Sequence, residues 1–305
     1  TYPTRFDYTL LNTHNTHTYT GVGDADALQK HDIEIKHHLP EVGQNLQDHL
    51  EFYQQFLCKK PVTLYPVGNW FPYPHKRILV GIEWFLRGTG WGASNQFETG
   101  GFIRSKAGVK HPDVQYHFIP GAVVGQLDFL PHHAFQAHCG TMRPTSRGTI
   151  TLKSKDPFEA PMIDPNYLST EDDVEDLRNA FRLTEEIIYS KTFEEYRGES
   201  LYNVNVSNDD EVDAWIRENS HSAYHPSCTC AMGSVVDTQG RVLGLDGLRV
   251  VDASIMPSMA SGNLNAPTIM IAEKISDMIR GLEPLKPSTT EVDYYVSEDW
   301  KTCQR

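Results

Sequence analysis

The chain has 305 residues, of which 39% are apolar and 10% aromatic, enough for about two globular domains. With a formal charge of −13 no nucleic-acid partner is expected, because an acidic surface repels phosphate backbones. Apolar runs such as Ala266–Ala272 are far shorter than the roughly 20 residues of a membrane-spanning helix, so no transmembrane segment is predicted. Five scattered cysteines do not predict a disulfide framework, and no targeting signal is recognisable near Thr1.

The first half of the chain predicts short elements separated by turns. Residues 1–20 are polar without a usable period and receive no role. The segment Leu39–His49 is rich in turn residues. Helices are predicted over Asp26–Lys30 and Lys76–Arg87, and strands over Val114–Ile119 and Ala134–His138.

The period of two around Ile150 and Leu152 predicts a strand with these two residues on one face. A long helix is predicted after Pro165, because Thr170 and Asp173 have the spacing of a capping box. Its apolar face has helical spacing and comprises Val174, Leu177, Phe181, Thr184 and Ile188.

The last third predicts two more helices and one strand. A helix is expected over Asp209–Glu218, with Val212, Trp215 and Ile216 directed inward, and a strand over Leu248–Ser254. Pro267 suits the first turn of a third helix, and Gly281 suits the position just past its end. Residues 283–305 have no pattern and are expected to form a tail.

Three ordered motifs occur within about 45 residues: YHPSCTCAMG at 224–233, VDASIMP at 251–257 and GNLNAPT at 262–268. Together they resemble the C-terminal signature of the glucose-methanol-choline (GMC) oxidoreductases, H-P-x-x-T-x-x-M-G, D-A-S-x-M-P and N-x-N-x-P-T. The resemblance extends upstream through LPEVGQNLQDHLE and covers about residues 21–282. The sequence of these motifs most resembles that of the choline-oxidising members of the family.

Oxidation of an alcohol needs a base for the hydroxyl proton and an acceptor for the hydride. A neutral imidazole titrating near pH 7 suits the first task, and His225 in the H-P motif is the candidate base. The resemblance implies that Asn263 is the second catalytic residue, which hydrogen-bonds the developing alkoxide. Outside these motifs, His225 would be interpreted as a packing histidine and Asn263 as a loop asparagine.

The resemblance implies FAD as the cofactor. Asn265, Pro267 and Thr268 begin a helix, whose N-terminal end stabilises negative charge such as that of a reduced flavin. The family likeness assigns these three residues, together with Asp252 and Ala253, to the flavin site. A simple helix start would explain Pro267 but not Asp252.

The implied substrate is choline, which would become betaine aldehyde. A quaternary ammonium group is bound by a carboxylate and by aromatic faces. The resemblance assigns the carboxylate to Glu98, and Tyr224 could supply an aromatic wall. A solvated surface charge is the alternative for Glu98. Two rival functions stay open: oxidation of another alcohol, and a non-catalytic fragment that serves as an interaction module.

The family fold implies an α/β plus α+β protein, with a partial, Rossmann-like FAD-binding domain and a substrate domain built on an antiparallel sheet. Residues 21–50 and 220–282 are assigned to the FAD-binding domain and residues 51–219 to the substrate domain. The resemblance also implies a quinone or similar electron acceptor and peripheral association with the mitochondrial inner membrane. The main pyrophosphate-binding turn is expected to lie outside this chain.

Two further patterns are rejected. Gly88–Ala93 satisfies G-x-G-x-x-A, but a helix-like stretch precedes it where a dinucleotide fingerprint requires a strand. Zinc is not predicted, because the spacing of His221, His225, Cys228 and Cys230 is too crowded for a structural zinc site. No metal is therefore expected.

Overall fold

The computed structural model describes residues 18–68, 74–124, 128–290 and 298–302. Most of the predicted irregular stretch 1–20 lies outside these residues, as does part of the predicted tail 283–305. Residues 283–290 are described and contain neither helix nor strand.

Six α-helices and twelve strands lie wholly within the described residues. The helices are α1 (Ala25–Lys30), α2 (Tyr65–Gly68), α3 (Pro74–Arg87), α4 (Glu171–Ile188), α5 (Asp209–Asn219) and α6 (Asn265–Arg280). The strands are β1 (Val22–Gly23), β2 (His37–His38), β3 (Leu50–Cys58), β4 (Thr99–Ile103), β5 (Val114–Ile119), β6 (Val123–Val124), β7 (Asp128–Phe129), β8 (Ala134–Thr141), β9 (Thr149–Thr151), β10 (Met162–Asp164), β11 (Arg197–Ser200) and β12 (Ser220–Ser222).

The predicted helices are confirmed, and α4 shows why. Its apolar stripe is buried, and the backbone N–H of Asp173 donates to Thr170 Oγ1 over 3.4 Å, as a helix cap requires. The second bond of the capping box, in which the Asp173 carboxylate would accept the backbone N–H of Thr170, is wrong as a prediction. The Asp173 carboxylate accepts from the backbone N–H groups of Thr145 (2.7 Å) and Ser146 (2.9 Å), which ties the helix start to the preceding loop.

Helix α6 begins two residues before Pro267, which is therefore in the first turn. It ends at Gly281, whose φ of 66° is left-handed, and the N–H of Leu282 bonds back to Asp277 O over 3.0 Å. Both predicted boundaries are confirmed.

The predicted strand over Leu248–Ser254 is wrong. Arg249 forms only an isolated bridge with Arg241, and the chain then enters a 3-10 helix at Ala253–Ile255. The cause is local, because the Asp252 side chain accepts the N–H of Ser254 over 2.8 Å and turns the backbone out of the extended conformation.

The chain divides into two compact units. The first comprises Thr1–Leu50, Met142–Asp173 and Ser222–Tyr295; the second comprises Glu51–Thr141, Val174–His221 and Val296–Arg305. Residues 142–173 belong to the first unit although the sequence assigns them to the region 51–219. The reason is that Leu46 and Gly148 exchange two backbone hydrogen bonds of 2.9 Å, and Ile150 is buried against Leu46.

The second unit is built on an antiparallel sheet with strand order β11, β3, β8, β5 and β4, and β12 also pairs with β3. Alternate residues of β3 are buried, and Phe52 lies 5.8 Å from Phe181 of α4 and 5.8 Å from Trp215 of α5, measured between ring centroids. The predicted antiparallel sheet with helices is thereby confirmed.

The first unit has little regular sheet among its described residues. Strands β1 and β2 form a short parallel pair, and β9 and β10 a short antiparallel pair. Its core is made by irregular segments and α6, with Val235, Val250, Ile255 and Ile275 all buried. A Rossmann-like arrangement for this region stays a prediction.

Candidate active site

The predicted catalytic residues lie in the first unit, where backbone hydrogen bonds hold irregular segments together. Residues 45–49 pair with residues 223–227, through reciprocal bonds between Gln47 and Ser227 (3.2 and 2.9 Å) and a bond from Ala223 N to His49 O (2.8 Å). On its other side, the 228–232 stretch runs alongside the 3-10 helix, as Cys228 N bonds to Ala253 O over 3.2 Å. The H-P and D-A-S motifs are therefore neighbours in space as well as in sequence.

Two amide side chains brace this arrangement. Asn45 Nδ2 donates to the backbone oxygens of Cys228 and Pro257, both over 3.4 Å. Gln47 Nε2 donates to Asn45 Oδ1 over 3.0 Å, and Gln47 Oε1 accepts from Met259 N over 3.3 Å. The segment 45–49 thus connects the H-P motif to the residues that follow the 3-10 helix.

His225 and Asn263 lie next to each other. Asn263 Nδ2 lies 3.4 Å from His225 Nε2. On the other side of the ring, His225 Nδ1 lies 3.0 Å from Nδ1 of His49, and the two rings meet edge to face with centroids 5.1 Å apart. His49 is 5% exposed, and its Nε2 is 3.1 Å from the backbone oxygen of Met142. Both imidazoles, of His225 and of His49, are therefore held at both ring nitrogens.

The backbone at His225 is anchored by a buried carboxylate. Asp48 Oδ1 accepts the N–H of His225 over 2.9 Å, while Oδ2 accepts the hydroxyls of Tyr167 and Ser222. Burial raises the pKa of Asp48 above its usual value, and the hydrogen bonds from Ser222, Tyr167 and the backbone oppose that rise. Burial beside this carboxyl also raises the pKa of Tyr167.

Tyr224 adopts a left-handed backbone conformation, with φ of 60°. Few residues other than glycine do so, and the conformation here is held by the bond from Tyr224 N to Ser222 Oγ (2.9 Å). Tyr224 is 57% exposed.

The predicted cofactor residues form two groups. Asp252 accepts from the backbone and the hydroxyl of Ser254, and the next residue, Ala253, is buried at the start of the 3-10 helix. Asn265, Pro267 and Thr268 form the first turn of α6. The residue before them, Leu264, makes no side-chain capping bond, so this helix end presents backbone N–H groups and the positive end of its dipole.

The predicted cation ligand Glu98 lies in the second unit. Its side chain is exposed and accepts from Ser94 Oγ over 3.0 Å. Glu51 is a second carboxylate of this unit, and the sequence alone did not single it out. Its side chain is mostly buried, with 13% exposed. Glu51 follows His49 by two residues in the segment that resembles the family.

Glu51 accepts from Tyr53 over 3.1 Å and lies 3.5 Å from His138 Nδ1. Burial acts to raise its pKa, but the hydrogen bonds from His138 and Tyr53 and the nearby imidazole charge outweigh it, and the pKa is lowered. Glu51 is therefore an ionised carboxylate beside an aromatic ring.

The rejected dinucleotide motif has the context expected of a false match. Helix α3 ends at Arg87, directly before Gly88, and a 3-10 helix follows at Trp91–Ala93. Cys228 and Cys230 are buried, and burial raises the pKa of their thiols to about 11 and about 12. Across the described ranges, no three His, Cys, Asp or Glu side chains cluster in a way that could bind a metal.

Residues 144–272 match the family model described as GMC oxidoreductase. These residues therefore form a GMC oxidoreductase domain. The chain is 53% identical over 286 residues to the oxygen-dependent choline dehydrogenase of Yersinia pseudotuberculosis, covering 92% of this chain and 49% of that protein. The protein of the same name from Pseudomonas syringae pv. syringae is 52% identical with the same coverage. The chain thus spans about half the length of the curated relatives it matches.

The fold of the chain is similar to parts of solved structures. Pyridoxine 4-oxidase from Mesorbium loti matches with a TM-score of 0.73 and 25% identity, over 88% of this chain and 49% of that one. A formate oxidase matches with a TM-score of 0.80 and 22% identity, over 88% and 52%, a likeness of fold alone. The two choline dehydrogenases are bacterial and lend no support to the mitochondrial expectation. Within the described chain, no helix combines the length and apolarity needed to cross a bilayer.

Proposed function

We propose that the protein to which this chain belongs oxidises choline to betaine aldehyde with FAD as its cofactor. The observation that carries the proposal is the pairing of His225 Nε2 with Asn263 Nδ2, 3.4 Å apart. Identity of 53% to a choline dehydrogenase supports the choice of substrate.

The chain's own residues account for the proton and the oxygen. His225 Nε2 takes the hydroxyl proton of the alcohol, and the electron pair of that O–H bond forms the C=O bond as hydride leaves the same carbon. The Asn263 amide donates to the oxygen while it carries negative charge, a contribution of roughly 3 kcal/mol for a well-placed donor. FAD, when bound, supplies the acceptor for the hydride.

The described residues fit part of a flavin site. The first turn of α6 has no side-chain cap, so its N–H groups and dipole are suited to an electron-rich ring edge. Asn265, Pro267 and Thr268 would hold the cofactor there. Asp252 and Ala253 would hold it beside the 3-10 helix.

For the cation of choline we propose a carboxylate ligand. Tyr224 is proposed separately, as an aromatic contact for the substrate. Resemblance favours Glu98. Burial and ionisation favour Glu51, because a carboxylate that is shielded from water attracts a cation more strongly than one in water does. Glu51→Gln and Glu98→Gln keep side-chain size and remove the charge. The variant at the cation ligand should raise KM for choline more than KM for an uncharged alcohol of the same shape. If neither variant discriminates between the two alcohols, a carboxylate cation site is wrong.

We also propose a quinone as the electron acceptor, with peripheral membrane association. The names of the relatives state oxygen dependence, which makes dioxygen the rival. Anaerobic turnover with a soluble quinone analogue, compared with oxygen consumption in its absence, separates the two.

The decisive test is His225→Ala in the full-length protein, which should lower choline turnover by roughly 10²–10⁴ while flavin absorption is retained. His111→Ala, at an exposed histidine of the second unit, is the matched control and should be neutral. Unchanged turnover in His225→Ala would remove this residue from the mechanism. Turnover of a neutral alcohol in preference to choline would favour the rival substrate, and a protein that binds no flavin would favour the non-catalytic module.

A further inference from the structure

His49 makes two contacts that together determine where its proton lies. Its Nε2 is 3.1 Å from the backbone oxygen of Met142, and a carbonyl oxygen can only accept a hydrogen bond. Nε2 of His49 must therefore carry a hydrogen. At 5% exposure, His49 is largely shielded from water that could take over either contact.

The other ring nitrogen of His49 faces the candidate base. His49 Nδ1 is 3.0 Å from His225 Nδ1, and such a pair needs one donor and one acceptor. A neutral His49 with its hydrogen on Nε2 can only accept at Nδ1. The hydrogen in this bond then belongs to His225 Nδ1.

We propose that His49 is a positioning residue that holds neutral His225 in its Nδ1–H tautomer and so leaves the Nε2 lone pair directed towards Asn263. Asn263 agrees with this assignment, because its Nδ2 is a donor and lies 3.4 Å from His225 Nε2. The inference rests on the proposed function for its consequence in catalysis, but the tautomer itself is independent of it.

The same bond serves both protonation states of His225. When Nε2 gains a proton, Nδ1 keeps its hydrogen and continues to donate to His49, so the ring need not turn during proton transfer. A ring free to choose its tautomer would spend part of its time with hydrogen on Nε2, where it could not act as a base.

The direct test is long-range proton–nitrogen NMR of the full-length protein labelled with ¹⁵N in its histidine rings, at a pH where the imidazoles are neutral. The His225 signals are assigned by their loss in His225→Gln. The expected result is Nδ1–H for His225 and Nε2–H for His49. Finding hydrogen on Nε2 of neutral His225 would overturn the proposal, even if His225 proved essential for turnover.

Two substitutions of His49 separate tautomer control from simple packing. His49→Asn places an amide oxygen near the position of the imidazole Nδ1 and can still accept from His225, whereas His49→Phe fills the space without an acceptor. We expect His49→Phe to shift His225 towards Nε2–H and to lower kcat/KM on the order of 10–100-fold, the loss seen when the group orienting a metal-bound imidazole is removed. His49→Asn should retain the tautomer and most of the activity. An unshifted tautomer in His49→Phe, or equal losses in both variants, would refute the role.

Discussion

Replacing Asp48 by alanine should destabilise the first unit by about 2–4 kcal/mol. Asp48 is 6% exposed, and its carboxylate accepts from the backbone N–H groups of His225 and His49 and from the hydroxyls of Ser222 and Tyr167. A buried donor left without a partner costs about 1–3 kcal/mol. The hydroxyls can rotate towards other acceptors but the two backbone N–H groups cannot, so the expected cost corresponds to about two such groups.

Asp48→Asn is the matched control, since it keeps an oxygen for the His225 N–H and removes the charge. Because burial raises the pKa of Asp48, the folded protein holds this proton to a higher pH than the unfolded chain does. The wild type therefore loses stability as pH rises from the unfolded pKa through the folded pKa. The asparagine variant has no such term, so the stability of the wild type relative to this variant should fall across that window.

Urea unfolding followed by circular dichroism, at pH values from about 3 to about 8, measures both effects. An Asp48→Ala variant within about 0.5 kcal/mol of the wild type would refute the accounting of buried donors. A wild type that gains stability over Asp48→Asn as pH rises would mean that hydrogen bonding to the carboxylate outweighs its burial.

Two further predictions concern packing and backbone conformation. Phe181 is fully buried, with its ring centroid 5.1 Å from that of Trp215, and Phe181→Ala should cost about 3–5 kcal/mol in thermal or urea unfolding, while Phe158→Ala, at a 96% exposed side chain, should be neutral. Gly281→Ala should destabilise α6 by about 1 kcal/mol because φ there is 66°, whereas Gly81→Ala inside α3, where an added Cβ meets nothing within 4 Å, should stabilise by a similar amount. Equal effects at the two glycines would contradict the backbone argument.

Five of the helices could be predicted from sequence because each carries its signal within one or two turns, whereas the four-residue α2 was not predicted. Strand β3 could not, because Gln54 interrupts its apolar alternation on the buried face. Gln54 is tolerated there since its Nε2 donates to Glu185 Oε1 (3.2 Å) and to the Tyr202 hydroxyl (2.9 Å), partners far away in the chain. A local pattern contains no record of such partners.

The same limit applies to the site. The motifs pointed to His225 and Asn263, which do lie together, but His49 and Asp48 contact His225 across 176 and 177 positions of sequence. Neither a hydrophobic period nor a capping signal links such distant residues. The family likeness marked the segment that contains them, and only the fold shows which atoms they contact.

The backbone conformation of Tyr224 affects both the stability of the turn at residues 222–225 and the position of the candidate base, His225. Its left-handed conformation (φ 60°) costs roughly 1–2 kcal/mol for a residue with a Cβ. The conformation persists because the N–H of Tyr224 donates to Ser222, and because Asp48 accepts from both Ser222 and His225. Tyr224→Ala removes the ring and keeps the strain, whereas Tyr224→Gly removes both. We therefore expect the glycine variant to unfold at higher urea concentration than the alanine variant, by about 1 kcal/mol in free energy. If alanine is as stable as glycine here, the turn stores no strain, and Asp48 is not needed to hold it.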